Sequence, residues 1–377
     1  MRILLLQHVG SRYGVLKGMS EALYSAFIRQ GIETTLFDAW DQGPSELLRC
    51  IDEWKPEYTF SINLFAHKEL PFDSYGINHI VLCVDALSNY KGLNEGEIES
   101  KHLNCLFVDA YSSDLYKARG GRACWFPHAI SEELLDEIQT KKVLPWTERP
   151  YEVVLLGSYI DPKEELMLWR NLFSKKQIDT LCSLAEELLE DASLSFQHTL
   201  LAFLNNNPSF CEILKKNSLS VFQFISSLES YMRGVDRKRL AQAFPGAHIH
   251  IFGEGWQPFP GCTIHPPVPF LSVFEVCTQA KVVVNSTPTI RRGYHERLFL
   301  GLASGALVVT SKADVPHLEQ AKSLLQYTTS SLPHLHERVK NMEQLPPALE
   351  WLRKNHTWDV RIKNLRQQMV ESEDPHK

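Results

Sequence analysis

Between residues 281 and 318 the chain reads KVVVNSTPTIRRGYHERLFLGLASGALVVTSKADVPHL, and this stretch holds its densest set of groups able to bind a charged ligand. An apolar run gives way to a polar loop bearing Arg291, Arg292 and His295. A helical pattern opens near Tyr294, breaks at Gly305, and a second apolar run follows. The first turn of a helix leaves backbone N–H groups unpaired at the positive end of the helix dipole, so cations at its start make a site for a diphosphate. Read alone, His295 could equally cap or pack at the helix start, and Glu296 and Arg297 could form a surface pair of little energetic weight.

A second set of residues suits proton transfer. Asp85 and Asp109 each follow an apolar run, in Val84-Asp85-Ala86 and Val108-Asp109-Ala110. Ligands of open α/β sheets bind at that end of the strands, and a carboxylate there can act as a general base. Asp85 leads, His67 and His128 are its rivals, and helix capping is the alternative account of Asp109. Gly10 and Gly14 suit a loop that a substrate approaches closely. No Asp-x-Asp pair occurs, nor any CxxC or histidine-rich spacing suited to zinc, so no metal site is expected.

These groups need a scaffold, and the hydrophobic pattern describes one. Short apolar runs at 3–6, 33–37, 58–64, 80–84, 105–108 and 123–126 alternate with helical patterns such as 44–54, which predicts βαβ units and a parallel sheet. The first domain is expected over residues 1–145, with a linker around 141–150. A second series opens at 151–156, runs into Gly157 and Ser158, and resumes at 248–252, 281–285 and 307–310. Helices are expected at 273–280, 295–303 and 315–325. Residues 164–233 read as a helical insertion in this second domain, 150–345, and the tail at 346–377 as helix packing back across the junction. The insertion roots at the ligand-binding edge, so it is expected either to shape the acceptor side of the cleft or to serve only as a stabilising cap.

Composition narrows the classes of function. Hydrophobic residues make up 44% and charged residues 22% of the 377, and the net charge is -6. That charge excludes the strongly basic surface of a nucleic-acid binder. The eight cysteines are scattered and read as reduced thiols. The opening apolar run is shorter than a signal-peptide core and no stretch approaches a membrane span, so a soluble, cytoplasmic protein is expected.

Gly293-Tyr294-His295-Glu296-Arg297-Leu298-Phe299, followed by residues 302–310, resembles the donor-site helix of group 1 (GT4-like) glycosyltransferases, in particular the CgeB-like branch. Residues 151–158, 249–256 and 354–361 resemble that branch's first donor-domain strand, its "yGdgW" strand end and its "HTyenR" tail. The resemblance implies an α/β fold of the GT-B type, two Rossmann-like domains facing a cleft, and metal-independent transfer of a sugar from a nucleotide-sugar donor, most plausibly UDP-linked, with no cofactor. It implies that Arg291, Arg292 and Arg297 face the donor phosphates and that Gly157 lets the backbone approach the diphosphate. The turn from Gly253 to Gly255 and residues 266–268, ending in Val268, would flank the nucleobase. Gly157 could also be no more than a turn residue. Leu300 departs from the glutamate that many group 1 enzymes place there on the donor ribose, and Glu296, one helical turn earlier, is its candidate substitute. A nucleotide-sugar epimerase or hydrolase, and a non-catalytic binding protein of the same fold, remain open. So does the acceptor, whether glycan, lipid, small molecule or protein.

Overall fold

The computed structural model describes residues 1–373 except 8–10, 40, 95–99, 142, 316–317 and 343. Two six-stranded sheets form the frame, and every strand pair in them is parallel. The first contains β1 (Arg2–Gln7), β2 (Glu33–Asp38), β3 (Tyr58–Ile62), β4 (Asn78–Cys83), β5 (Leu103–Phe107) and β6 (Ala123–Trp125), in the order β2-β1-β3-β4-β5-β6. The second contains β7 (Tyr151–Leu156), β8 (Ile249–Phe252), β9 (Cys262–His265), β10 (Ala280–Asn285), β11 (Leu307–Ser311) and β12 (Leu324–Tyr327), in the order β12-β11-β10-β7-β8-β9. The interior strands β1 and β7 are rich in Leu, Ile and Val because helices cover both sheet faces. Leu4, Leu5 and Leu6 are wholly buried, and each such side chain contributes about 1.5–3 kcal/mol relative to exposure.

The α/β class and the two-sheet GT-B arrangement are as expected from sequence. The departures are local. Residues 315–325 were expected as helix, but a 3-10 turn at Leu318–Gln320 leads into the edge strand β12, with residues 316–317 of that stretch outside the described residues. A short apolar run such as Leu324-Leu325 fits either element, and parallel pairing with β11 decides it. Strand β9 carries half-exposed Thr263 and His265 at a sheet edge, which left no apolar run to recognise.

Between β7 and β8 lie the helices Pro162–Leu172, Lys175–Glu190, Phe196–Asn206, Pro208–Lys216 and Val221–Gln242, so helix continues past 233. They enclose a hydrophobic core of their own around Trp169, Phe173, Leu181, Phe210 and Phe224. Before β7, the helix Glu132–Thr140 puts Leu135 and Ile138 into the core of the second sheet. At the far end of the chain, Trp358, Ile362 and Leu365 of the helix Trp358–Glu373 join the core of the first sheet. Arg361 ties that helix down by donating from Nε to the Pro127 carbonyl at 3.1 Å.

Candidate active site

A cavity of about 800 Å³ lies between the carboxyl edges of the two sheets. Strands β1, β3 and β4 deliver Tyr13, Asn63 and Asp85 from one side, and β7 and β8 deliver Gly157, Ser158, Gly253 and Gly255 from the other. This is the edge where parallel α/β sheets leave unpaired backbone groups and loops free to meet a ligand.

On the second domain the chain leaves β7 at Gly157 with φ 149°, where a Cβ would approach Arg297 Nη1 at 3.3 Å and Arg237 Cζ at 3.4 Å. A Cβ on Gly253 would lie 2.3 Å from the Gly157 carbonyl oxygen, so the turns after β7 and β8 touch backbone to backbone. Only glycine fits there. Around this double turn three guanidiniums converge. Arg297 donates to the Leu156 carbonyl, Arg237 donates to the Ser158 carbonyl, and Arg233 stands one helical turn before Arg237 on the helix Val221–Gln242. Burial lowers the pKa of Arg237 to about 9, and the positive charges of Arg233 and Arg297 push the same way. Burial also lowers Arg297, with Arg233 adding to the shift and Glu296 opposing it. Mutual repulsion of this kind is relieved by a multivalent anion.

The base of the cavity joins the domains. His295 Nδ1 lies 2.9 Å from Glu296 Oε2, and Arg297 Nη2 lies 2.8 Å from His295 Nε2. His295 also caps the helix Glu296–Ala303, its Nδ1 accepting from Arg297 Nε at 3.2 Å, so the imidazole is held between the Arg297 guanidinium and the Glu296 carboxylate. His128, from the first domain, brings Nδ1 to 3.6 Å from the same carboxylate oxygen, and its Nε2 is 3.3 Å from the Val84 carbonyl. Burial would raise Glu296, yet His295, His128 and Arg297 hold it well below the usual carboxylate range. Burial and the adjacent Arg297 lower His295 from 6.5 to about 4. An unfolded chain therefore takes up a proton that the folded site refuses. The stability that neutral His295 contributes is complete above about pH 6.5 and is lost as pH falls towards 4, a loss on the order of 3 kcal/mol. Urea titrations at pH 7.5 and pH 5 should show this loss, and His295→Gln should flatten it; an unchanged pH slope in that variant would assign the effect elsewhere.

Asp85 follows β4, its carboxylate open to the cavity and 3.4 Å from Asn63 Nδ2. Burial among the cavity walls raises its pKa, Arg233 and His128 oppose that shift, and Glu296 adds to it. Asn63 sits at φ 54°, and its Oδ1 accepts from Tyr90 at 2.7 Å. Tyr13, also at positive φ (62°), brings to the cavity wall a buried hydroxyl that has no hydrogen-bond partner among the described residues.

Of the residues singled out in the sequence, Asp85, His128, Gly157, Ser158, Gly253, Gly255, Val268, His295, Glu296 and Arg297 line this one cavity. Three do not. The buried Arg291 guanidinium turns away to the carbonyls of Leu188 and Lys312, because the loop after β10 packs against the insertion. Arg292 faces the outside of the first domain, with Cζ 5.2 Å from the Tyr111 ring centroid and Nη1 3.6 Å from Asp114 Oδ2. His67 is exposed on a loop beyond β3 and does not line the cavity. Asp109 caps the helix Ala110–Ala118 by accepting from Ser112 N at 3.1 Å. Gly10 lies outside the described residues, Gly14 does not line the cavity, and Leu300 is buried in the apolar core behind the Glu296–Ala303 helix. Missed from sequence were Arg233, Arg237, Asn63, Tyr13 and Tyr159; the four-residue spacing of Arg233 and Arg237, which puts them on one helix face, was the available signal.

Among the described residues, no group of three or more His, Cys, Asp or Glu side chains could hold a metal ion, and no helix is long and apolar enough to cross a membrane. Residues 237–367 match the family model described as glycosyl transferase-like. No curated protein matches the sequence. Among solved structures, sucrose-phosphate synthase from Thermosynechococcus elongatus is similar with a TM-score of 0.54 at 10% identity, covering 98% of this chain and 99% of that one. An α-glucosyltransferase in complex with UDP and a 13-mer DNA containing an HMU base is similar with a TM-score of 0.53 at 11% identity, covering 97% and 98%. The fold is that of the GT-B enzymes, and the glycosyl transferase-like match within it makes the chain a glycosyltransferase.

Proposed function

We propose that this glycosyltransferase moves a sugar from a UDP-sugar to an acceptor hydroxyl without a metal ion or other cofactor, and that it is a group 1 enzyme of the CgeB-like kind. The observation that carries the reading is the convergence of Arg233, Arg237 and Arg297 on the glycine turn after β7. Three cations beside a backbone that permits close approach suit a diphosphate, and they supply the charge that a divalent cation supplies in other transferases. The turn from Gly253 to Gly255 and the segment 266–268 would flank the base, with Tyr159 beside them.

In the reaction the acceptor oxygen bonds to the anomeric carbon while the bond from that carbon to the diphosphate breaks. UDP leaves with the electron pair, stabilised by the guanidiniums, and the acceptor proton passes to Asp85 of the first domain. Glu296, kept anionic by two histidines and Arg297, is placed to accept from donor hydroxyls.

The experiment is turnover of UDP-sugars, followed by UDP release and product analysis, with and without a panel of hydroxyl acceptors and with and without EDTA. Acceptor-dependent UDP release that survives the chelator is expected. Epimerised sugar, water as the only acceptor, or UDP binding without turnover would each replace this reading. Activity lost to EDTA and restored by Mg²⁺ or Mn²⁺ would end the metal-free mechanism.

A further inference from the structure

We infer that Glu229, a residue of the insertion outside the cavity lining, is a positioning residue that fixes the distance between the proposed base and the proposed diphosphate site; the inference rests on the transferase reading above. Glu229 is 5% exposed and lies on the helix Val221–Gln242, four residues before Arg233 and eight before Arg237. At 1.5 Å per residue these three side chains form one stripe about 12 Å long.

Its carboxylate reaches both domains. Oε2 accepts from Ser88 Oγ at 3.2 Å and from Asn89 Nδ2 at 3.5 Å, and both donors belong to the 3-10 turn Leu87–Asn89 that follows Asp85 in the first domain. Oε1 accepts from Thr289 Oγ1 at 3.0 Å, on the loop after β10 in the second domain. The same helix is anchored to the second sheet by Asp236, whose Oδ2 accepts from Ser286 Oγ at 2.6 Å and from Tyr327 at 2.8 Å. The helix is thus held to the second sheet at Asp236, beside Arg237, and grips the Asp85 loop about two turns earlier, at Glu229. Leu87 N, which donates to Ser112 Oγ at 3.1 Å, secures that loop from behind.

A base and a leaving group carried on separate domains must hold near-attack distances, and a displacement of about 1 Å can cost on the order of 10²-fold in rate. Glu229 makes no contact that would bind nucleotide, so its removal separates distance from affinity. Glu229→Ala should leave the dissociation constant of UDP, measured by calorimetry, within about twofold. It should lower kcat, for whichever UDP-sugar the unaltered protein turns over, on the order of 10- to 100-fold, with KM little changed. Glu229→Gln keeps an acceptor for Thr289 and should restore most of kcat, and Ser88→Ala, which removes only the first-domain donor, should fall between. Hydrogen exchange should quicken at residues 86–90 in Glu229→Ala and not at 156–158.

Wild-type kcat in a folded Glu229→Ala protein with quickened exchange at 86–90 would reduce Glu229 to a structural tie and overturn the assignment. Loss of UDP affinity in step with kcat, or failure of Glu229→Gln to restore it, would do the same. Absence of UDP-sugar turnover in the unaltered protein would instead remove the transferase reading beneath it, a result separable from the first three.

Discussion

Replacing Asp85 with Asn is expected to lower turnover about 10²–10⁴-fold, the usual contribution of a positioned general base, while leaving UDP affinity unchanged. The side chain enters the cavity from the first domain, whereas the glycine turns and Arg237 belong to the second, and Arg233 is the charge that acts on it most strongly. Because desolvation by the cavity walls raises its pKa from the ordinary value, turnover of the unaltered protein should climb with pH through that raised value and then level off. The Asp85→Asn change would remove the acid limb. The same shift has a stability sign: between the unfolded and folded values the native state holds the extra proton, so stability declines as pH rises through that window. The Asp85→Asn variant lacks this penalty and should be at least as stable at pH 7. A pH–rate profile and a calorimetric titration with UDP check both parts. Turnover within about threefold of the original would exclude Asp85 as base and turn attention to His128.

Arg237→Ala is expected to weaken UDP binding by about 1.5–3 kcal/mol, or about 10- to 150-fold, the range for hydrogen bonds to a charged group. Arg237→Lys should recover only part of this, since an ammonium cannot present two parallel donors to a phosphate. Arg233→Ala should act in the same direction. Arg292→Ala supplies the contrast: its guanidinium lies over Tyr111 and beside Asp114, away from the cavity, so UDP affinity should not change. Calorimetry on the four proteins is decisive. Equal affinity in the Arg233 and Arg237 variants would remove the diphosphate from this turn.

The sequence carried the frame well because buried parallel strands need uninterrupted apolar runs, and those runs at 3–6, 151–156, 281–285 and 307–310 fall within β1, β7, β10 and β11. The edge strands β2 and β6 carried enough of such a run to be recognised, whereas β9 and β12, at the edges of the second sheet, did not. The stretch from His295 to Arg297 was legible as a site because local spacing alone puts its side chains at a helix start. Local spacing could not say which way the loop before it turns. Arg291 and Arg292 are neighbours of His295 in sequence, yet one packs into the insertion and the other over the outside of the first domain. The converse holds for Arg233 and Arg237. Their role depends on a helix folding back over the turn after β7, more than seventy residues earlier in the chain, and nothing in a helical period reports where a helix will dock.

The crossing of the last helix onto the first sheet has a consequence for biosynthesis. Trp358, Ile362 and Leu365 complete a core otherwise built from the first 130 residues and Ile290, and Thr357 bridges Ile130. N-terminal domains commonly fold while the rest of the chain is still being made. Here the first sheet and the helix Val15–Arg29 that packs on it leave part of their apolar core uncovered until residues 358–365, more than two hundred residues further on, have been made. Until then the remaining apolar surface is open to aggregation, and a chain cut shortly before residue 358 would hold both sheets yet leave the first core incomplete.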